Sequence, residues 1–587
     1  MKKTAFTSSA ILCLLSAVFL IGLSFNVQPV EADWTWTESI YIRADGSVDP
    51  PTAPISTVDD VTYTLIDNIV GDVPEQSSAI AVERDNIVVD GASHTVQGTG
   101  ALGSKGIYLS SVSNVTIKNV HIKGFVNCVY LYHSSFISLF QINITRGDGW
   151  AQRAVFLESS TNNNISRNNI NGNYGGGVSL EGSSDNIISE NNITNTDTCL
   201  HLTSSSNNNI SRNNIYDNFH SIKLYSSSNN AISGNNITNP ELEINHEGIR
   251  FAFSSNNTVT GNSVSNNKYG IRLESSSGNT IRSNNIYECF QYGINLVHSS
   301  NNYIYHNNFI DNPHQVYIET SEYANVWDDG YPSGGNYWSN YTSVDSDYDG
   351  IGDIEHVLDE SNQDTFPLMG MFSDFNATSG YYVQTICNSK ISDFQFNGTA
   401  VCFNVTGENG TTGSCRICIP TALMADTYTV FVNGTEVPHT LLPCSNSTHS
   451  YLYFTYQHST HEVVIQALDT TPPTFSILSP ENKTYSANDV SLTFTVSEST
   501  HWIGYSLNGQ ANVTITGNKA LSDLSDGLHI LIVYANDTAG NMGVSEIVYF
   551  SIETQESVPF PIEIVAVIVI IGVVGAVVFV YFTKFRK

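Results

Sequence analysis

Between Val82 and Leu368 the apolar residues come in short alternating bursts, with no helical period. One phrase recurs: Asn164-Ile-Ser-Arg-Asn-Asn-Ile170, Ile187-Ile-Ser-Glu-Asn-Asn-Ile193, Asn209-Ile-Ser-Arg-Asn-Asn-Ile215, Ala231-Ile-Ser-Gly-Asn-Asn-Ile237, Thr258-Val-Thr-Gly-Asn-Ser-Val264, Thr280-Ile-Arg-Ser-Asn-Asn-Ile286 and Tyr303-Ile-Tyr-His-Asn-Asn-Phe309. Weaker copies centre on Val89, Ile117 and Leu139, and the steps between copies run from 22 to 28 residues. A fixed period of this size marks a repeat architecture in which each unit buries its apolar face against the next.

Each period holds a second apolar–variable–apolar strand, such as Ile107-Tyr-Leu109, Val155-Phe-Leu157 or Ile249-Arg-Phe251. Alternation at period two turns the flanking residues inward and the middle residue outward. The outward residues read Tyr108, Tyr130, Phe156, Ser179, His201, Lys223, Arg250, Arg272, Asn295 and Tyr317. Strands of about three residues build no stable hairpin, so they must stack coil on coil in parallel.

This predicts an all-β chain whose centre, residues 82–370, is a right-handed parallel β-helix of about ten coils. Asn tolerates the left-handed corners that a coil needs, and its amide both donates and accepts, so Asn at one corner of successive coils forms a ladder. Propeller blades would need about 40 residues and four strands each. The exposed end of such a rod must be capped. Residues 33–81, with the Pro50-Pro51 break, are the expected N-terminal cap.

Beyond the repeats the pattern changes to longer alternating segments, such as Tyr428-Thr-Val-Phe-Val432 and Ser450-Tyr-Leu-Tyr-Phe-Thr-Tyr456. They predict a β-sandwich module over 375–468. The linker Asp469-Thr-Thr-Pro-Pro473 leads to an Ig-like stalk module over 470–554. At the N-terminus, Lys2 and Lys3, the apolar run Ala10–Phe25 and Val30-Glu-Ala32 read as a secretory signal peptide over 1–32. At the other end Ile564 to Phe582 is apolar for 19 residues, followed by Lys584, Arg586 and Lys587. It predicts a transmembrane helix over 562–582 and a cytoplasmic tail over 583–587, with everything between signal and anchor outside the cell.

Charge sharpens this picture. Only 13% of residues are charged, yet the formal net charge is −32. Nucleic acid is excluded as a partner on that balance, and cations, Ca²⁺ above all, are favoured. Asn-x-Ser/Thr sequons such as Asn340, Asn397, Asn446 and Asn512 mark glycosylation acceptors on an exported protein. Cys387, Cys402, Cys415, Cys418 and Cys444 cluster in the sandwich segment, where some are expected to pair; Cys128, Cys199 and Cys289 are expected as small buried thiols.

The residues Ile40-Tyr-Ile-Arg-Ala-Asp-Gly-Ser-Val-Asp-Pro-Pro51, the Asn-Asn-Ile coils and Asn325-Val-Trp-Asp-Asp-Gly-Tyr-Pro-Ser-Gly-Gly-Asn-Tyr-Trp-Ser-Asn-Tyr341 resemble the NosD-type β-helix proteins, especially archaeal cell-surface members. The resemblance covers roughly residues 40 to 370. It implies a place in the wider group of carbohydrate-binding and sugar-hydrolase β-helices. The family's namesake is a periplasmic protein implicated in copper supply. Directly afterwards, Asp345-Ser-Asp-Tyr-Asp-Gly-Ile-Gly-Asp353 places carboxylates at positions 1, 3, 5 and 9, glycine at 6 and a backbone carbonyl at 7 of a calcium loop. The expected ligands are Asp345, Asp347, Asp349, the Ile351 carbonyl and Asp353, holding a structural Ca²⁺. His356 stands where an EF-hand carries glutamate, so the loop stands alone.

Catalytic signals are weak. Asn195-Thr-Asp197 and Asn312-Pro-His-Gln315 are fragments of polygalacturonase and alginate-epimerase motifs without their partners. Glu158 and Glu181 read as solvated turn residues. The 16 histidines are scattered and methionines number five, so copper is not expected. No catalytic residue is assigned. The outward stripe is the better signal. Tyr108, Tyr130, Phe156 and Tyr317 offer rings to sugars, while His201, Lys223, Arg250 and Arg272 offer positive charge to an acidic glycan. The sequence therefore predicts a membrane-tethered surface protein that binds a polysaccharide or surface glycan, or shapes the envelope, without catalysis. The alternatives are a polysaccharide lyase, epimerase or hydrolase, and accessory copper handling.

Overall fold

The computed structural model describes residues 34–36, 38–145, 153–172, 175–239, 246–424, 427–554, 570–571 and 573–578. The chain divides into two compact units, Met1–Leu423 with Val430–Val464, and Met424–Thr429 with Ile465–Lys587.

The first unit is dominated by three sheets that wind around one core. Each coil contributes one strand to each sheet, for example Lys105–Ser110, Val115–Lys118 and His121–Lys123, before Asn127–Tyr132 returns beside Lys105–Ser110 in parallel. The sheet containing Val115–Lys118 is called the first, that containing Lys105–Ser110 the second, and that containing His121–Lys123 the third. The first has 12 strands, of which Ile55–Ser56 is antiparallel, leaving about eleven parallel turns. A parallel crossover of this kind winds right-handed.

A coil therefore has three strands, where the sequence pattern suggested two. The repeated phrase spans a corner: Asn164–Ser166 lies in the first sheet and Asn169–Asn171 in the third. Between them Arg167 turns left-handed at φ 56° and Asn168 points inward, 3% exposed. The corner absorbs the phase change, so the two strands read as one phrase. Inward residues stack in columns. Ile165, Ile188, Ile210 and Ile232 are fully buried in the first sheet, and Ile170, Ile193, Ile215 and Ile237 in the third. Each such side chain contributes about 1.5–3 kcal/mol of burial.

Two corners carry long buried Asn ladders, and the third a shorter one through Asn218, Asn239 and Asn267. In one long ladder, Asn191 Oδ1 accepts from Asn168 N and Nδ2 (both 3.0 Å). Asn191 Nδ2 donates to Asn213 Oδ1 (3.0 Å) and Ile165 O (2.9 Å). The pattern continues through Asn235, Asn262, Asn284 and Asn307 to Asn336. The other long ladder runs from Asn163 through Asn186, Asn208, Asn230, Asn257, Asn279 and Asn302 to Asn325. A buried amide so fully paired avoids the desolvation cost of an orphaned polar group. Cys289 occupies an Asn-type corner, its N–H donating to Asn312 Oδ1 (2.9 Å).

Parallel pairing reaches back into residues 33–81. Ile40–Ile42 pairs with Ser78–Val82, Thr62–Leu65 with Ile87–Asp90, and Ile69–Gly71 with Thr95–Gln97. These residues wind as coils, and the edge is closed by the antiparallel strands Val48–Asp49 and Ile55–Ser56. At the other end Trp338 stacks on Phe309 (4.5 Å, 5°) and, like Trp327, is 1% exposed. Trp327 Nε1 donates to Asn362 Oδ1 (3.1 Å) and Trp338 Nε1 to Asp364 Oδ2 (2.8 Å). Asn325 N and Asn336 N donate to the same two side chains, so both long ladders end there.

A five-stranded antiparallel sheet follows: Met371–Thr378, Tyr381–Cys387, Thr412–Pro420, His449–Gln457 and His439–Leu441. The described cysteines carry free thiols, and the expected pairing is not seen; Cys387 and Cys415 face one another across neighbouring strands as thiols. The second unit is a separate β module around Leu492, Leu531, Val533 and Phe550. Residues 1–32 and most of 562–587, expected as signal peptide, membrane helix and tail, lie outside the described residues. Among the described residues no helix is long and apolar enough to cross a membrane.

Candidate functional site

The outward stripe forms one continuous column on the second sheet. Tyr108, Tyr130, Phe156, Ser179 and His201 are successive register partners, followed by Lys223, Arg250, Arg272, Asn295 and Tyr317. Two further columns flank it. One runs Arg153, Gly176, then Thr198, His220, Glu247, Tyr269; the other includes Glu158, Glu181, Thr203.

The aromatic end stacks upon itself. Tyr130 lies 5.0 Å from Phe156 at 23°, and 5.3 Å from Tyr108 at 42°. Ring faces are occupied by neighbouring rings, so the stack offers ring edges and hydroxyls to a ligand rather than the open faces expected. Tyr130 Oη donates to Glu158, and burial followed by that carboxylate pushes its phenol upward. The Arg153 guanidinium lies 4.3 Å over the Phe156 ring.

The basic stretch is mostly neutralised. Glu247 is 5% exposed and receives Arg272 Nη1 at 2.9 Å and Arg250 Nη1 at 3.4 Å. His220 Nδ1 approaches it to 3.2 Å without the alignment of a hydrogen bond. Burial drives the Glu247 carboxyl up, but His220 and the two guanidinium groups outweigh it and hold the acid below its ordinary range. Glu274 takes Arg250 Nη2 at 2.8 Å and Arg272 Nη2 at 3.7 Å. Arg250 and Arg272 thus belong to a four-membered ion cluster. His201 is pushed down to about 4, by burial first and then by Lys223 and Arg153.

The sequence reading missed Glu247, Glu274, His220 and Arg153. They stand at strand ends, outside the apolar–variable–apolar triplet that defined the stripe. Glu158 and Glu181, read as turn residues, are strand residues in register on neighbouring coils. The epimerase-like fragment is structural: Asn312 Nδ2 donates to Ile286 O (3.0 Å) and Gln315 Oε1 (2.7 Å).

In the acidic loop, carboxylate oxygens of Asp345, Asp347 and Asp349 come within 4.8 Å of one another. Asp353 is not in that group; its Oδ2 accepts from Ser346 N (2.9 Å). Asp345 accepts from Asp349 N (3.0 Å) and Gly350 N (2.9 Å), and Asp349 from Ile351 N (2.8 Å). Tyr348 and Gly350 take left-handed φ of 57° and 80°, which folds the loop back on itself. Burial pushes Asp345 and Asp349 upward. A second such group joins Asp469, Glu498 and Asp537 in the second unit.

A family model described as "Periplasmic copper-binding protein (NosD)" matches residues 199–343, and one described as "Right handed beta helix region" matches residues 105–244. The coiled region is a NosD-type β-helix. Halomucin of Haloquadratum walsbyi is 36% identical over 99 residues, which is 16% of this chain and 1% of halomucin. Among solved structures, DFA-IIIase from Arthrobacter chlorophenolicus A6 aligns at TM-score 0.33 and 14% identity, over 41% of this chain and 71% of that one. The periplasmic alginate epimerase AlgG aligns at TM-score 0.33 and 16% identity, over 46% and 78%. The metal-competent groups among the described residues of this NosD-type chain are all carboxylates. Such hard oxygen donors suit Ca²⁺ and do not fit copper, which prefers thiolate, thioether or imidazole.

Proposed function

We propose that this chain is a surface-displayed β-helix that binds an extended polysaccharide along its second sheet. The observation that carries the reading is the unbroken register of outward polar and aromatic side chains from Tyr108 to Tyr317. Rungs spaced about 4.8 Å apart give a linear polymer repeated contacts. The signal segment at 1–32 and the anchor at 562–582 would display the rod outside the cell, with the C-terminal helix as its membrane partner. A Ca²⁺ held by Asp345, Asp347 and Asp349 would brace the end of the coils.

The face reads as a binding surface rather than a catalytic one. Glu247, its most buried acid, is held ionised by its cationic neighbours and so is no proton donor. Glu158 and Glu181, adjacent in register, are the acids that would favour a polysaccharide-cleaving enzyme. Release of reducing or unsaturated ends from a bound polymer would establish that alternative.

A glycan array probed with the detergent-solubilised chain tests the proposal. Wild type should retain a defined set of polysaccharides. Tyr130→Ala should weaken retention by removing the stacked edge, and Arg250→Ala by releasing Glu247. Unchanged retention by both variants would reject the second sheet as the binding face.

A further inference from the structure

Between the aromatic stack and the ion cluster the second sheet drops to small side chains at one coil, Gly176 and Ser179. Gly176 stands where the preceding coil carries Arg153, and Ser179 where it carries Phe156. Gly176 takes φ 134°, a region closed to most side chains, and a Cβ there would lie 3.1 Å from Thr198 O. The next coil adds His201 beside Ser179, and the coil after that restores bulk with Lys223 beside His201. The result is a saddle two rungs wide, bounded by Arg153 and Lys223.

These two cations differ from the others on this face. Arg250 and Arg272 are paired with Glu247 and Glu274. Lys105 Nζ donates to Gln76 O at 2.9 Å. Among the described residues, neither Arg153 nor Lys223 has an acidic partner; the Arg153 guanidinium carbon lies 4.3 Å from the centre of the Phe156 ring. In a chain of net charge −32, two partly buried cations without a counter-charge are a costly arrangement that an incoming anion would relieve. His201 lies between them. Its imidazole is neutral at pH 7, so it can donate and accept hydrogen bonds without repelling the flanking cations. The ends of these strands carry Glu158 and Glu181, on the edge opposite Arg153.

We infer that this saddle is a subsite for a sugar bearing a negative group, a uronate carboxylate or a sulfate ester. Arg153 and Lys223 take the charge, Arg153 through its fork of N–H donors. His201, half-buried at the surface, bonds a ring hydroxyl, and Ser179, 7% exposed, forms the floor beneath it. The inference rests on the second sheet being the glycan-binding face and adds the substrate class.

Titration calorimetry of the full-length chain in detergent, with oligogalacturonate, dextran sulfate and uncharged dextran, tests it. At least one acidic polymer should bind, and its affinity should fall steeply as salt is raised. Uncharged dextran should bind at least tenfold more weakly. Arg153→Gln and Lys223→Gln should each weaken acidic binding about tenfold by loss of a charged hydrogen bond, with unchanged thermal midpoints. Dextran sulfate binding without oligogalacturonate binding would assign the sulfate ester, and the reverse the carboxylate. Uncharged dextran binding as tightly as the acids, or acidic binding indifferent to salt and to both substitutions, would overturn the acidic subsite and leave the glycan-binding face intact. Failure of every polymer to bind, in an array as well as by calorimetry, would remove both.

Discussion

At the scale of single residues, the Asn ladders explain how a rod so rich in polar residues stays folded. Each buried amide is satisfied by the coils before and after it, and the chain of bonds must end on a group that accepts without demanding a further Asn. Asn362 and Asp364 are those groups. Asp364 is fully buried and accepts from Asn336 N (2.7 Å), Trp338 Nε1 (2.8 Å) and Phe366 N (3.2 Å). Burial nevertheless pushes its carboxyl up to about 7 from an ordinary 3.8. The folded chain then holds this proton more tightly than the unfolded one, so the contribution to stability is full below pH 4 and is lost as pH rises through 7. The loss is on the order of 4 kcal/mol at most. Thermal unfolding of wild type and Asp364→Asn between pH 4 and 8 should show the wild type losing more stability toward pH 8, and the amide variant a flatter profile. Parallel profiles would contradict this role.

At the scale of elements, the repeat period and the inward columns could be read from the chain because core positions recur with one residue type. The three-strand coil could not, since the Arg167-type corner hides between two strands that share one phrase. The stripe from Tyr108 to Tyr317 was legible as the middle of each triplet, and the structure aligns it in one column. Its electrostatics were not. Glu247 and Glu274 sit at strand ends, and only folding brings them to Arg250 and Arg272. Residues 33–81 read as a cap because Pro50-Pro51 and polar turns mask the Ile40, Tyr63 and Ile69 strands that join the coils. The acidic loop is the element with a discrete test. Three carboxylates within 4.8 Å repel unless a cation lies among them. Calorimetry should register Ca²⁺ uptake and a raised thermal midpoint, both diminished in Asp347→Ala. No Ca²⁺ effect in wild type, or an effect unchanged by the substitution, would leave the loop as an acidic turn.

At the scale of the whole molecule, the coiled region presents on its second sheet the face proposed to bind glycan, while its buried Asn residues hold the coils together. The second sheet differs in kind along its length: an aromatic stack, a saddle of Gly176, Ser179 and His201 flanked by cations that have no acidic partner among the described residues, then a closed ion cluster. That gradation is what a linear, charged polymer would meet as it lay along the coils. The decisive measurement is a crystal structure of the protein soaked with an acidic oligosaccharide. Sugar density should lie along the second sheet, with a negative group between Arg153 and Lys223. Oligosaccharide bound only elsewhere, with the second sheet bare, would contradict glycan binding on that face.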